Sequence, residues 1–175
     1  GDFRPDSARA LVERYFGNIP RGPALPARPA PAPVRLARDT VLALEDRVQL
    51  PRFYYAFPTV RLFAPDDAAL DVLALVLAGD KNSRLYRTLV YERQVAQSVS
   101  AGNNSAKLAG QFQVTVTPRQ GQRPADLARV AEAEIARLVR EPVTARELAR
   151  AKNQIRVSFL DRLASVNGKA DLLNY

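Results

Sequence analysis

Hydrolytic chemistry at neutral pH draws mostly on imidazole and thiolate, as metal ligands, general bases or nucleophiles. This chain has neither: its 175 residues include no histidine and no cysteine. A Ser-His-Asp or Cys-His arrangement therefore cannot be assembled from it. A zinc or iron centre would have to borrow its ligands from elsewhere. If the function is enzymatic, it is shared with residues outside the segment. The missing cysteines exclude a disulfide framework and fit either a cytosolic or a periplasmic setting.

The net charge of +8 raises the question of nucleic acid. Of the 26 basic residues 22 are arginine, scattered through every segment and often beside acids, as in Glu45-Asp46-Arg47 and Glu92-Arg93. No run of five or six forms the clustered footprint that nucleic-acid binding needs, so a solvated basic surface is expected. The longest apolar window, residues 68–78, is interrupted by Asp71 and falls short of a membrane span. No signal peptide is read at the start of the segment.

The elements that would position any site are legible from periodicity. Residues 7–16 place Ala8, Leu11, Val12, Tyr15 and Phe16 on one helical face, with Gly17 as the stop. Prolines at 20, 23, 26, 29, 31 and 33 mark an extended linker. Residues 40–44 and 48–57 have strand composition and are expected to pair, the second ending at Pro58. An apolar, buried helix follows Pro65-Asp66-Asp67 and stops at Gly79. A second helix, capped by Asn82 or Ser83, carries Leu85, Tyr86, Leu89 and Val90 on its apolar face. Residues 97–101 and 108–117 read as strands joined by a turn at Gly102-Asn103-Asn104, with Phe112, Val114 and Val116 alternating against polar neighbours. One face of that sheet is thus expected to be wet or covered by something polar.

Residues 125–139 form an amphipathic helix ended by Pro142. Thr144 and Glu147 form a capping box for a helix whose Leu148, Ala151, Ile155 and Phe159 face inward. A last turn over 171–175 has no cap, so the segment is expected to be truncated there. The order favours an α+β fold, an antiparallel sheet with helices packed on one face.

The stretch Gly79-Asp80-Lys81-Asn82-Ser83-Arg84-Leu85-Tyr86-Arg87-Thr88-Leu89-Val90-Tyr91-Glu92-Arg93-Gln94-Val95-Ala96-Gln97-Ser98-Val99 resembles the signature of the second, inactive domain of insulinase/pitrilysin-type zinc peptidases. Three other segments agree in order: Gly1-Asp2-Phe3 followed by residues 10–20 with the end of the preceding zinc-binding domain, 49–58 with the first long strand, and 147–154 with a late helix. The resemblance implies a processing-peptidase-like domain over residues 38–175, a linker over 20–37, and the end of a zinc-binding-type domain over 1–19.

It also implies a peptidase whose two halves close around a peptide, with the His-x-x-Glu-His zinc site in a domain upstream of this one. No cofactor is expected in this chain, and zinc in the parent protein. The implied partners are that upstream domain, a homologous second half in the same chain or a separate subunit, and a peptide substrate. The alternative is a core-type assembly subunit of a non-proteolytic relative. Bacterial members of this kind suggest the periplasm.

The family's other device is an Arg and a Tyr seven residues apart, donors to a developing oxyanion. Alignment puts Val90 and Gln97 at those positions. Val90 has no donor and reads as core, so no catalytic residue is assigned, and Gln97 remains as a substrate-binding candidate. The departure points to the zinc-bearing half, with the Arg/Tyr pair supplied by its partner. A shifted pairing of Arg84 with Tyr91 keeps the spacing but misplaces Glu92-Arg93-Gln94 and uses another helix face.

Overall fold

Strand alternation in the sequence is strongest at Phe112, Val114 and Val116, and these side chains are the floor of the core. In the computed structural model, which describes residues 2–27 and 34–174, they lie on the central strand of a three-stranded antiparallel sheet. The strands are β1 (Phe53–Thr59), β2 (Ala96–Ser105) and β3 (Gly110–Pro118), in the spatial order β1-β3-β2. The helices are α1 (Pro5–Phe16), α2 (Asp67–Ala78), α3 (Pro124–Arg140), α4 (Ala145–Leu163) and α5 (Val166–Leu173), with a π-helix over Tyr86–Glu92. The chain divides into two compact units, residues 31–158 and residues 1–30 with 159–175.

Within the larger unit, Val99, Phe112, Val114 and Val116 meet Ala74 and Leu77 of α2, Leu85 and Leu89 at the π-helix, and Leu127 and Ala131 of α3. Helices pack on one face of the sheet, as the α+β reading expects. Each fully buried leucine here contributes about 1.5–3 kcal/mol of transfer free energy. Gln111, Gln113 and Thr115 alternate with the buried residues of β3, and Gln113 Nε2 donates to Thr115 Oγ1 (3.0 Å). The other face is therefore polar. Tyr55 fastens β1 to α3, donating to Glu132 Oε1 (2.8 Å) with the Ala128 carbonyl 3.1 Å away. Burial, and then that hydrogen bond, push its phenol pKa upward.

Several elements differ from the sequence reading. Residues 40–44 form no strand, and Val41 stays 90% exposed: the segment has strand composition but no described neighbour to complete its backbone hydrogen bonds. The strand that does form runs through Pro58, because β1 is an edge strand and a proline there can turn its donorless nitrogen away from the ladder. Gly102-Asn103-Asn104 is strand, not turn, pairing with Gln113, Phe112 and Gln111. Asn103 Nδ2 donates to the Asp67 (2.9 Å) and Asp71 (3.2 Å) carboxylates of α2, and these distant partners override its turn preference.

The reversal comes later, closed by Ala106 N donating to the Ala109 carbonyl (2.9 Å). Gly110 follows, where a Cβ would collide with the Val60 carbonyl. Asp67 itself accepts from Ser105, the Phe63 N–H and Asn103, which hold its carboxyl below the ordinary range.

The second helix is mostly π-helical, with Arg93 N donating to the Thr88 carbonyl five residues back. Neither Asn82 nor Ser83 caps it by a side chain; Ser83 Oγ instead donates to the Asp80 carbonyl (2.5 Å). The Thr144–Glu147 box forms in full: Glu147 Oε2 accepts from Thr144 N (2.9 Å), and Glu147 N donates to Thr144 Oγ1 (3.2 Å). On α4 only the first turns face inward. Ala151 is buried, but Ile155 and Phe159 are 40% and 49% exposed, since no described element covers the later turns. The last helix starts earlier than expected, at Val166, and its N-terminus is capped by Ser165 Oγ accepting from Gly168 N (3.0 Å). Of the proline linker, residues 28–33 lie outside the described residues, as does Tyr175.

Leu89→Ala should lower unfolding stability by about 2–5 kcal/mol, whereas Ile155→Ala should cost less than about 1 kcal/mol. Denaturant melts of the two variants would check this; equal losses would mean that Ile155 is core.

Candidate functional site

β2 opens with a bulge. Ala96 pairs with Pro118 and Ser98 with Thr117, leaving Gln97 between them without a partner on β3. Such an irregularity re-aims a side chain and is common beside binding sites. Gln97 is exposed and lines an open cleft of about 860 Å³ with Gln49, Leu50, Arg119 and Gln120. The register explains the grouping: the residues before β1, the start of β2 and the residues after β3 all meet at one end of the sheet.

Val90 lies in the π-helix, half-buried against the core cluster, and does not line this cleft. The two positions that align with the family's donor pair thus have different environments, one apolar and one polar.

Arg84 is engaged inside the fold. Its Nε donates to Glu147 Oε1 (2.7 Å) and a terminal nitrogen to Oε2 (2.9 Å), while the Glu141 (3.0 Å) and Pro142 (3.3 Å) carbonyls take further bonds. The side chains are only 13% and 17% exposed. A guanidinium so occupied has no free fork for a substrate, although Tyr91, 73% exposed, is open to solvent. Arg84 is therefore a structural clamp between the π-helix region and α4. Sequence reasoning did not foresee this, because the partner is 63 residues away.

Beside the clamp, Arg150 pairs with Asp80 (3.1 Å) and Gln154 Nε2 donates to the same carboxylate (3.1 Å). These residues, with Lys81, Arg146 and Tyr86, line a larger open groove of about 1540 Å³.

The donor set does not suit zinc. The sequence lacks imidazole and thiolate, and among the described residues no group of three carboxylates could hold a metal ion. No described helix is long and apolar enough to cross a membrane.

Residues 1–155 match the family model described as the peptidase M16 inactive domain. The chain belongs to this family. Among solved structures, a protease from Helicobacter pylori superposes with a TM-score of 0.80 at 21% identity, over 98% of this chain and 42% of that one. A peptidase M16 inactive domain from Pseudomonas fluorescens gives 0.66 at 19% identity, over 89% of this chain and 37% of the other. The periplasmic protease PqqL from Escherichia coli gives 0.66 at 20%, over 98% and 19%. At these identities the likeness concerns the fold, and the chain spans less than half the length of each of the three. No curated protein matches it. Membership in an M16 inactive-domain family agrees with the α+β fold, a sheet with helices on one face.

The Arg84 clamp carries a pH signature. The hydrogen bond from Arg84, against an opposing effect of burial, lowers the Glu147 pKa from the ordinary 4.5 to about 2. A folded-state pKa below the unfolded one stabilises the fold above pH 4.5, and this contribution is lost as pH falls towards 2. The wild-type chain should lose roughly 3 kcal/mol across that window which Glu147→Gln does not lose. Chemical denaturation at stepped pH measures the difference, and parallel acid slopes would refute the assignment.

Proposed function

We propose that this chain is the noncatalytic second domain of the zinc-bearing half of a zinc metalloendopeptidase, with zinc held by the parent protein outside this chain. It buttresses the zinc-binding domain and forms part of the wall of a closed peptide chamber. The observation that carries this reading is the polar sheet face ending in the Gln97 bulge, in a chain of the M16 inactive-domain family. A surface of amides and hydroxyls without imidazole or thiolate is suited to holding a peptide, not to cleaving one.

In this reading residues 1–19 close the preceding zinc-binding-type domain, 20–37 are a linker and 38–175 are the inactive domain. The partners are that upstream domain, a homologous half bearing the Arg/Tyr donors, and the peptide. Gln97 contacts substrate without serving the transition state. The name of the Escherichia coli neighbour, a periplasmic protease, supports a periplasmic setting.

Two outcomes test this. A strong chelator should leave the melting curve of the isolated chain unchanged, because no described donor cluster couples metal to folding; a shift of several degrees would overturn the placement of zinc outside the chain. In the intact peptidase, Gln97→Ala should alter turnover less than about 10-fold. A loss nearer 100-fold, the scale of a deleted oxyanion donor, would show that the halves are assigned the wrong way round.

A further inference from the structure

The cleft at the end of the sheet contains one cation, Arg119, and no acidic lining residue. Arg119 is fixed at two points. Its main-chain N–H donates to the Val95 carbonyl (2.9 Å), and its Nε donates to the Ala96 carbonyl (3.3 Å). Both acceptors sit at the foot of β2, immediately before the bulged Gln97. The stem is thereby oriented, while the two terminal guanidinium nitrogens meet no acceptor among the described residues. Arg84, Arg87, Arg137 and Arg150 each have a carboxylate partner, and Arg119 has none among the described residues.

We propose that Arg119 anchors a carboxylate of a peptide bound in this cleft, with Gln97, Gln49 and Gln120 supplying amides for the peptide main chain. The proposal rests on the peptide-facing role proposed above and names the chemistry that role recognises. A guanidinium with a free fork is matched to a carboxylate, making two parallel charge-assisted hydrogen bonds. The glutamine side chains both donate and accept, as a peptide backbone requires, and Leu50 gives the cleft an apolar wall. The preference for an anion follows from charge: no acidic residue lines the cleft to compete with a ligand carboxylate for Arg119. That carboxylate is either a peptide C-terminus or an Asp or Glu side chain.

The test uses the 175-residue chain, isotope-labelled, with amide shifts near Gln97 and Arg119 followed during titration. Four N-acetylated alanine-rich hexapeptides serve as probes: one with a free C-terminus and no acidic side chain, and three amidated, of which one is neutral, one contains Glu and one contains Gln. One or both carboxylate peptides should bind at least about 10-fold more tightly than the neutral ones, and Arg119→Gln should abolish the difference. The tighter of the two identifies the source of the carboxylate. Arg119→Lys, which keeps the charge without the fork, should restore only part of the preference.

Equal binding of all four peptides would overturn the carboxylate proposal and leave the peptide-facing role standing. A preference that survives Arg119→Gln would also overturn it. No binding by any probe would remove the peptide-facing role and the proposal with it. If Arg119→Gln fails to fold, the same four titrations on Arg119→Lys decide: an undiminished preference goes against the fork, a reduced one supports it.

Discussion

One partly buried ion pair organises the larger unit. Glu147 accepts the fork of Arg84 and, through the same carboxylate, closes the capping box that starts α4. The remaining Arg84 donors hold the carbonyls of Glu141 and Pro142, the connection from α3. Withdrawing two charges from water carries a substantial desolvation cost, which is recovered only where every donor and acceptor is satisfied in good geometry. Here Arg84 makes four hydrogen bonds, and both Glu147 carboxylate oxygens accept. The start of α4, the chain leaving α3 and the residues entering the π-helix are consequently positioned by one constraint. The neighbouring Asp80–Arg150 and Asp80–Gln154 contacts repeat the same connection one and two turns further along α4.

What could be read from the sequence was whatever is encoded over a few residues. The capping box is a matter of three positions, and the alternation of β3 is a property of one strand; both are found where periodicity puts them. Features set by distant partners were hidden. Asn103 looks like a turn residue until Asp67 and Asp71 are brought beside it. Residues 40–44 look like a strand, but pairing requires a neighbour that composition cannot supply. The π-helix was invisible for another reason: Leu85, Tyr86, Leu89 and Val90 fit an α-helical face just as well. At the candidate site, Gln97 came from its aligned position, whereas the bulge that exposes it and the proximity of Arg119 depend on strand register.

The sheet divides the labour between its faces. Apolar side chains of β2 and β3 meet α2, the π-helix and α3, and the alternate positions present amides and hydroxyls. The polar face ends in a cleft built from three separate strand termini, so its geometry is inherited from the same ladder that orders the core. A packed support and an open, hydrogen-bonding surface are thus opposite sides of one layer.

The wide turns between Tyr86 and Glu92 bear on the chain's tolerance to change in length. Each wide turn spends more residues on the same advance, and the excess ends where Gln94 takes a left-handed conformation (φ 53°) and Val95 N bonds back to the Leu89 carbonyl (3.0 Å). This segment is a reservoir of slack directly ahead of β2. Losing one residue there could be met by tightening a turn to α geometry before the strand was reached. The same loss inside β2 would move its side chains to the opposite face of the sheet. Of two neighbouring segments, one can absorb a change in length and the other must transmit it.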